Sequence, residues 1–386
     1  MRRVMAAVLA LLAGVTSHVN AQQQDTLRPF VRGGVYDKPY LGTILGRAAI
    51  GGYAEAHARY GRVDGVTEEA GFVARRFNLF ASTRVSDFVR LAAELEVEEG
   101  GEELKLEFAA IDLVVHPSLT FRAGMLLSPL GRFNLAHDSP LNEFTDRPLV
   151  STELIGVALS EPGAGILGAI PFGFQRLTYE LYAVNGYHAG LIDDAEGGTR
   201  IPLGRSNLED NNASPAFVGR VAWSPALAYE VGVSAHIGAY NEWQADGLEL
   251  DERRDLRIVA IDGEATVAGL RVAGEYAAAR IAVPATLDGL YASRQHGVFA
   301  DLLYDFGRGW IATIPSAYFS AGTRLDIMDF DRDLEGDMVH QFTAGLNFRP
   351  TSETVFKLNY LRGRSRDRFN NPADHAGLLF SVATYF

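Results

Sequence analysis

Two short stretches of this chain hold residue types that do chemistry elsewhere. His137-Asp138-Ser139 places a base, an acid and a hydroxyl in consecutive positions. A hydrolytic relay needs the nucleophile bonded to the base and the base bonded to an orienting acid, and adjacent residues in a loop do not generally meet that geometry. Asp329, Asp331, Asp333, Glu335 and Asp337 alternate like the start of a calcium loop. Leu334 stands where the turn glycine belongs and His340 where a bidentate glutamate should be, so a solvated acidic loop is expected there. With no cysteine in 386 residues, thiol catalysis and thiolate metal sites are excluded. No catalytic residue, metal or cofactor is therefore expected.

A third set of charges is arranged differently. Between Ser128 and Pro148 lie Arg132, His137, Asp138, Glu143, Asp146 and Arg147, interleaved with Phe133 and Phe144. That density of charge and aromatic rings is unlike a mobile surface loop and reads as a segment folded inward. Other charges alternate with apolar residues. From Ser86 to Glu98, Val89, Leu91, Ala93, Leu95 and Val97 share one face, opposite Arg90, Glu94 and Glu96.

This period of two recurs along the chain and predicts sixteen strands, near 46–60, 71–85, 87–98, 103–115, 118–127, 157–169, 173–185, 215–224, 228–240, 255–267, 269–281, 294–306, 314–328, 339–349, 353–363 and 375–386. Their connections alternate between short turns, such as His116-Pro117-Ser118 and Gly307-Arg308-Gly309, and longer loops at 61–70, 99–102, 128–156, 186–214, 241–254, 282–293, 329–338 and 364–374. An even strand count with short turns on one rim and long loops on the other implies an all-β, transmembrane antiparallel barrel with 128–156 as an inward-folded constriction loop.

The face carrying charge should then line the interior: Arg76, Arg84, Arg90, Arg122, Arg176, Arg271 and Arg324 among Glu55, Glu94, Glu180, Asp301 and Asp326. Lys105, Glu107, Arg257, Arg280 and Arg362 break the pattern near loop ends, where they are expected to reach outward to headgroups. A barrel this wide holds water, and rings of charge select ions. Met1 to Ala21 reads as an export signal with a basic start, an apolar run and small residues before the cleavage point. The chain then divides into 1–21, a short segment at 22–44 and a barrel at 45–386. The net charge of −13 argues against a nucleic-acid partner.

The last strand alternates Leu378, Phe380, Val382, Thr384 and Phe386 on one face. It resembles the C-terminal signal recognised by the outer-membrane assembly machinery. The stretch Glu103 to Asp112, followed by His116-Pro-Ser-Leu-Thr-Phe-Arg-Ala-Gly124 and Leu127-Ser-Pro-Leu-Gly-Arg-Phe133, resembles the phosphate-selective porin family. The resemblance carries motifs over about 45–190 and barrel pattern beyond. It implies a bacterial outer-membrane barrel of sixteen strands in contact with lipid, usually a homotrimer, passing an anion held by arginines and lysines. The family's lysine ladder is missing, since only Lys38, Lys105 and Lys357 occur.

Passive diffusion of small hydrophilic solutes or anions is the leading expectation. Arg122, Arg132 and Arg147 are the residues expected to set the preference, with His137, Asp138, Glu143 and Asp146 beside them. An occluded structural or adhesion barrel is the alternative. An enzyme would need a nucleophile and base together on a rim, and no such pair is visible.

Overall fold

The computed structural model describes Val35, Lys38, Thr43, Ile44 and residues 48–386; the export signal expected at 1–21, and the rest of the 22–44 segment, lie outside the described residues. Sixteen long strands form in chain order: β1 (Ala48–Val63), β2 (Val66–Arg84), β3 (Val89–Glu98), β4 (Glu103–His116), β5 (Leu119–Leu127), β6 (Ser160–Phe172), β7 (Gln175–Val184), β8 (Ala216–Ala226), β9 (Tyr229–Ala239), β10 (Asp255–Val267), β11 (Leu270–Ile281), β12 (Arg294–Phe306), β13 (Tyr318–Asp329), β14 (Met338–Arg349), β15 (Thr354–Arg366) and β16 (Pro372–Tyr385). They match the predicted strands one for one. Each pairs antiparallel with the next, and β16 pairs with β1, from Tyr385 opposite Tyr53 to His375 opposite Val63. The sheet is thus a closed barrel with no exposed edge.

Closure depends on a close approach at the chain end. Phe386 exchanges backbone hydrogen bonds with Gly52, at 3.0 and 3.1 Å, and its ring stacks on Phe77 with centroids 5.4 Å apart. A Cβ at position 52 would stand 2.2 Å from the Asn78 carbonyl oxygen, so glycine is required. The glycine-rich β6 has the same origin, because a Cβ on Gly165 would lie 2.0 Å from the Leu181 carbonyl oxygen.

One rim carries short turns, with 307–317 its longest, so the turn predicted at Gly307-Arg308-Gly309 is only the start of a longer one. The opposite rim carries the long connections 128–159, 185–215, 240–254 and 282–293. The loop predicted at 61–70 is instead strand on both sides of Asp64-Gly65. Both turn residues have positive φ (48° and 83°), the signature of a tight hairpin that matches strand twist.

The outer face is apolar, with Leu104, Ile111, Phe121, Ile261, Leu302 and Phe380 exposed, while Asn78, Asp112, Arg220, Asp262, Asp326 and Asn359 are buried on the inner face. Two slips in register alter the predicted faces. In the β3–β4 ladder, Glu94 faces Phe108 but Leu95 faces Leu106, which leaves Glu107 as an extra residue buried on the inside. Lys105 sits across from Glu96 and pairs with Glu103 at 2.8 Å. The outward placement expected for Lys105 and Glu107 is therefore corrected, whereas Arg257, Arg280 and Arg362 do face outward near the long-loop rim. In the β1–β2 ladder a slip after Glu55 inserts Arg75 beside Arg76, turning Phe72 outward and setting Val73 opposite His57. Strict alternation through β2, counted from Phe77 and Leu79, would put Val73 on the outer face.

Candidate pore interior

Residues 128–159 are held by inner-face side chains from opposite parts of the wall. Gly131 donates its N–H to Ser234 on β9, and Phe133 donates to Glu275 on β11. On the other side, Ser139 donates to Glu55 on β1 at 2.5 Å, and Tyr385 on β16 donates to Asp138 at 2.9 Å. Glu143 is the densest anchor: it accepts from Arg349 at 3.1 Å, pairs with Arg271 at 2.7 Å, and accepts from Asn347 and Ser320. Burial pushes the Glu143 carboxyl up, but Arg349 and Arg271 outweigh it and hold it down at about 2. Asp146 receives Arg59 from β1, and its carbonyl accepts from Arg324 on β13. A segment so tied cannot swing freely.

Two cavities flank this stretch. One, of about 260 Å³, is lined by Arg59, Arg75, Arg76, Asp146, Arg147 and Gln341. Another, of about 220 Å³, is lined by Arg132, Glu143, Arg271, Asp301, Arg324 and Arg349. Asn142 lines both, and its side chain donates to the His137 carbonyl at 3.0 Å. The first cavity takes its wall from β1, β2 and the loop-side half of β14. The second takes it from β10 to β14 and the turn at Ser352, toward the short turns. The two cavities thus lie on either side of Asn142.

The residues singled out from sequence separate into distinct settings. Arg132 pairs with Glu264 at 2.8 Å, Arg271 bridges Glu143 and Asp305, and Arg324 grips Asp301 with two bonds of 2.7 Å; all three line the second cavity. Arg147 lines the first, has no carboxylate partner among the described residues, and leaves Nε and Nη2 without hydrogen bonds. Arg76, in the same cavity, pairs with Glu98 at 2.9 Å and lies 3.5 Å from Glu55.

Arg122 is elsewhere: it binds Asp112 through two bonds of 2.8 and 2.9 Å and donates to Tyr182, within the wall of β4 to β7. Arg84 and Arg90 face each other at the short-turn ends of β2 and β3, and Arg176 starts β7 opposite Ser224. None of these four lines either cavity. His137, Asp138 and Ser139 point to Glu107, to Lys38 and Tyr385, and to Glu55 respectively, so they form no relay. Among the described residues no His, Asp or Glu cluster is arranged to hold a metal, the 329–337 loop included.

Sequence reasoning missed Arg75, Asn142, Arg349 and Lys357. Arg349 and Lys357 stand on the inner parity of β14 and β15, which alternation could have picked out. Lys357 donates to the carbonyls of Ser139 and Phe144. Arg75 is visible only through a bulge.

Comparison with solved structures places the fold. An anion-selective porin from Comamonas acidovorans superposes with a TM-score of 0.56 at 10% identity, covering 88% of this chain and 99% of that one. The outer membrane channel DcaP of Acinetobacter baumannii does so with 0.56 at 12%, covering 90% and 100%. The barrel is porin-like. An uncharacterised protein of Aquifex aeolicus is 27% identical to this porin-like chain over 384 residues, covering 89% of this chain and 84% of that protein. No family model matches.

Proposed function

We propose that the protein is a bacterial outer-membrane porin, not an enzyme, passing small hydrophilic solutes by diffusion with a mild preference for anions. The outer surface supports the membrane address. Phe306, Trp310, Phe319, Phe348 and Phe356 form a chain of ring contacts of 5.1 to 6.3 Å along the short-turn rim, as in an interfacial aromatic girdle. The 128–159 stretch acts as the constriction, and homotrimeric assembly and insertion by the assembly machinery belong to the same reading.

The observation that carries the anion preference is Arg147. Every arginine named above in the second cavity is matched by a carboxylate, so that cavity is close to neutral. The first cavity is lined by Arg59, Arg75, Arg76 and Arg147 against Glu55, Asp146 and Glu153, and of these arginines Arg147 is the one with no carboxylate at ion-pair distance among the described residues. A passing carboxylate or phosphate is drawn there by the field of the Arg147 guanidinium, which no ion-paired carboxylate cancels. Phosphate specificity has no dedicated cradle behind it.

Planar-bilayer recording tests this. Stepwise conductance is expected, with a reversal potential of anion-preferring sign under a salt gradient. Arg147→Ala should lower the anion-to-cation permeability ratio about two- to threefold, the weight of one screened charge near the path. Absence of conductance would favour an occluded barrel. Conductance with unchanged selectivity in the variant would remove Arg147 from the account.

A further inference from the structure

Lys38 precedes the first strand in sequence, yet its side chain is only 1% accessible inside the barrel. Its ammonium donates to Asp138 of the constriction, pairs with Glu94 on β3 at 3.2 Å, and stands 4.7 Å over the Phe80 ring. Val35 is buried as well, in an apolar cluster with Ala92, Phe108, Leu127 and Leu135. Both residues thus occupy the bore alongside β2 to β5, on the side away from the open cavity of β10 to β14.

The surroundings of Lys38 are acidic. The Asn78 amide contacts three carboxylates, Glu94 at 2.6 Å, Glu107 at 3.4 Å and Glu96 at 3.5 Å, and Asp138 is the fourth. Arg76 reaches Glu96 only at 3.8 Å, and Arg147 acts on Glu96 and Glu107 through its field without an ion-pair contact to either. Lys38 is the cation in direct contact with both Glu94 and Asp138. Burial works against its charge, but Asp138, Glu94 and Glu107 prevail and raise the affinity of the amine for its proton.

We infer that Lys38 is a selectivity-determining residue of the pore. It fills the β2–β5 side of the bore beneath the constriction, and its charge stops the four carboxylates there from favouring cations. The inference rests on the channel reading above.

Three variants and one introduced cysteine test it in the full-length protein. Lys38→Met should raise single-channel conductance by ~1.5-fold or more as the filled side admits water, and lower the anion-to-cation ratio by about threefold. Lys38→Arg should restore the native ratio. Lys38→Met combined with Glu94→Gln should recover the ratio while keeping the raised conductance, separating charge from blockage.

Ala92→Cys, fully buried on the inner face, should resist a charged thiol reagent in otherwise native protein and react in the Lys38→Met background. This labelling is read in detergent and needs no conductance, so it stands even if the channel reading fails. Gel mobility of unheated protein confirms that each variant is a folded barrel. Native selectivity, native conductance and an unreactive cysteine in folded Lys38→Met protein would overturn the inference.

Discussion

The two sides of the bore are built on the same alternating strands and end in opposite states. On β1 to β4, Tyr53, Phe80, Ala92 and Phe108 point inward and pack with Tyr385, Val35, Leu127 and Leu135 into apolar clusters, while nearer the long loops β1 and β2 line the first cavity. Along β11 to β14 it offers Arg271, Asp301, Arg324 and Arg349, and a cavity remains. A third region repeats the first at the long-loop rim. There Leu130, Val150, Leu154, Leu159, Leu191 and Ile201 fill the space beside β6 to β13. Within one barrel of sixteen strands, the inner face is thus filled where apolar side chains cluster and keeps a cavity where ion pairs line it. Apolar residues recruit loops as filler through area burial, whereas charged residues resist such covering because burying them costs desolvation.

Removing a charge from the open side should have the largest effect. Arg324 binds Asp301 twice, accepts the Phe144 ring at 4.6 Å and holds the Asp146 carbonyl. Arg324→Ala leaves Asp301 and Asp326 without their cation, and breaking such a buried pair costs about 3–5 kcal/mol. We expect an earlier thermal unfolding transition and noisy, flickering conductance from a loosened constriction. A variant as stable and quiet as the native barrel would show that the pairs there are incidental.

Removing filler should cost nearly as much stability and leave selectivity alone. Leu154 is fully buried in the rim cluster, and Leu154→Ala should cost about 2–4 kcal/mol through the cavity it leaves. Its reversal potential should match that of native protein. A changed ion preference would mean that the filled rim belongs to the path.

Much of this division was legible in the sequence, and the limits have physical causes. Strand number, rim asymmetry and the inward parity of Arg76, Arg271, Arg324 and Asp301 follow from alternation. The paired state of Arg122 does not, because Asp112 and Tyr182 come from strands on either side of it in the wall, and parity is blind to partners. The bulges at Glu107 and Arg75 were invisible for a related reason, since one extra residue reverses every later face while composition stays the same. The role of Lys38 depends on a contact spanning a hundred residues.

The smallest expected effect concerns Glu143, on the 128–159 stretch beside the second cavity. Its carboxyl is held at about 2 by Arg349 and Arg271 against the pull of burial. A folded-state value below the usual 4.5 gives a contribution to stability that is complete above about pH 4.5 and lost as pH falls through about 2. Between pH 7 and pH 3.5 Glu143 should thus keep Arg271 and Arg349 neutralised in the native protein. Glu143→Gln frees part of both charges at every pH and should raise the anion-to-cation ratio about twofold at pH 7. Carboxylates elsewhere in the bore titrate in native and variant protein alike, so the ratio between the two proteins isolates this residue. That ratio should stay constant from pH 7 to 3.5 and close toward unity only as the pH approaches 2. Convergence already near pH 4.5 would show an ordinary, solvated carboxylate and remove Glu143 as the clamp between the filled and open sides.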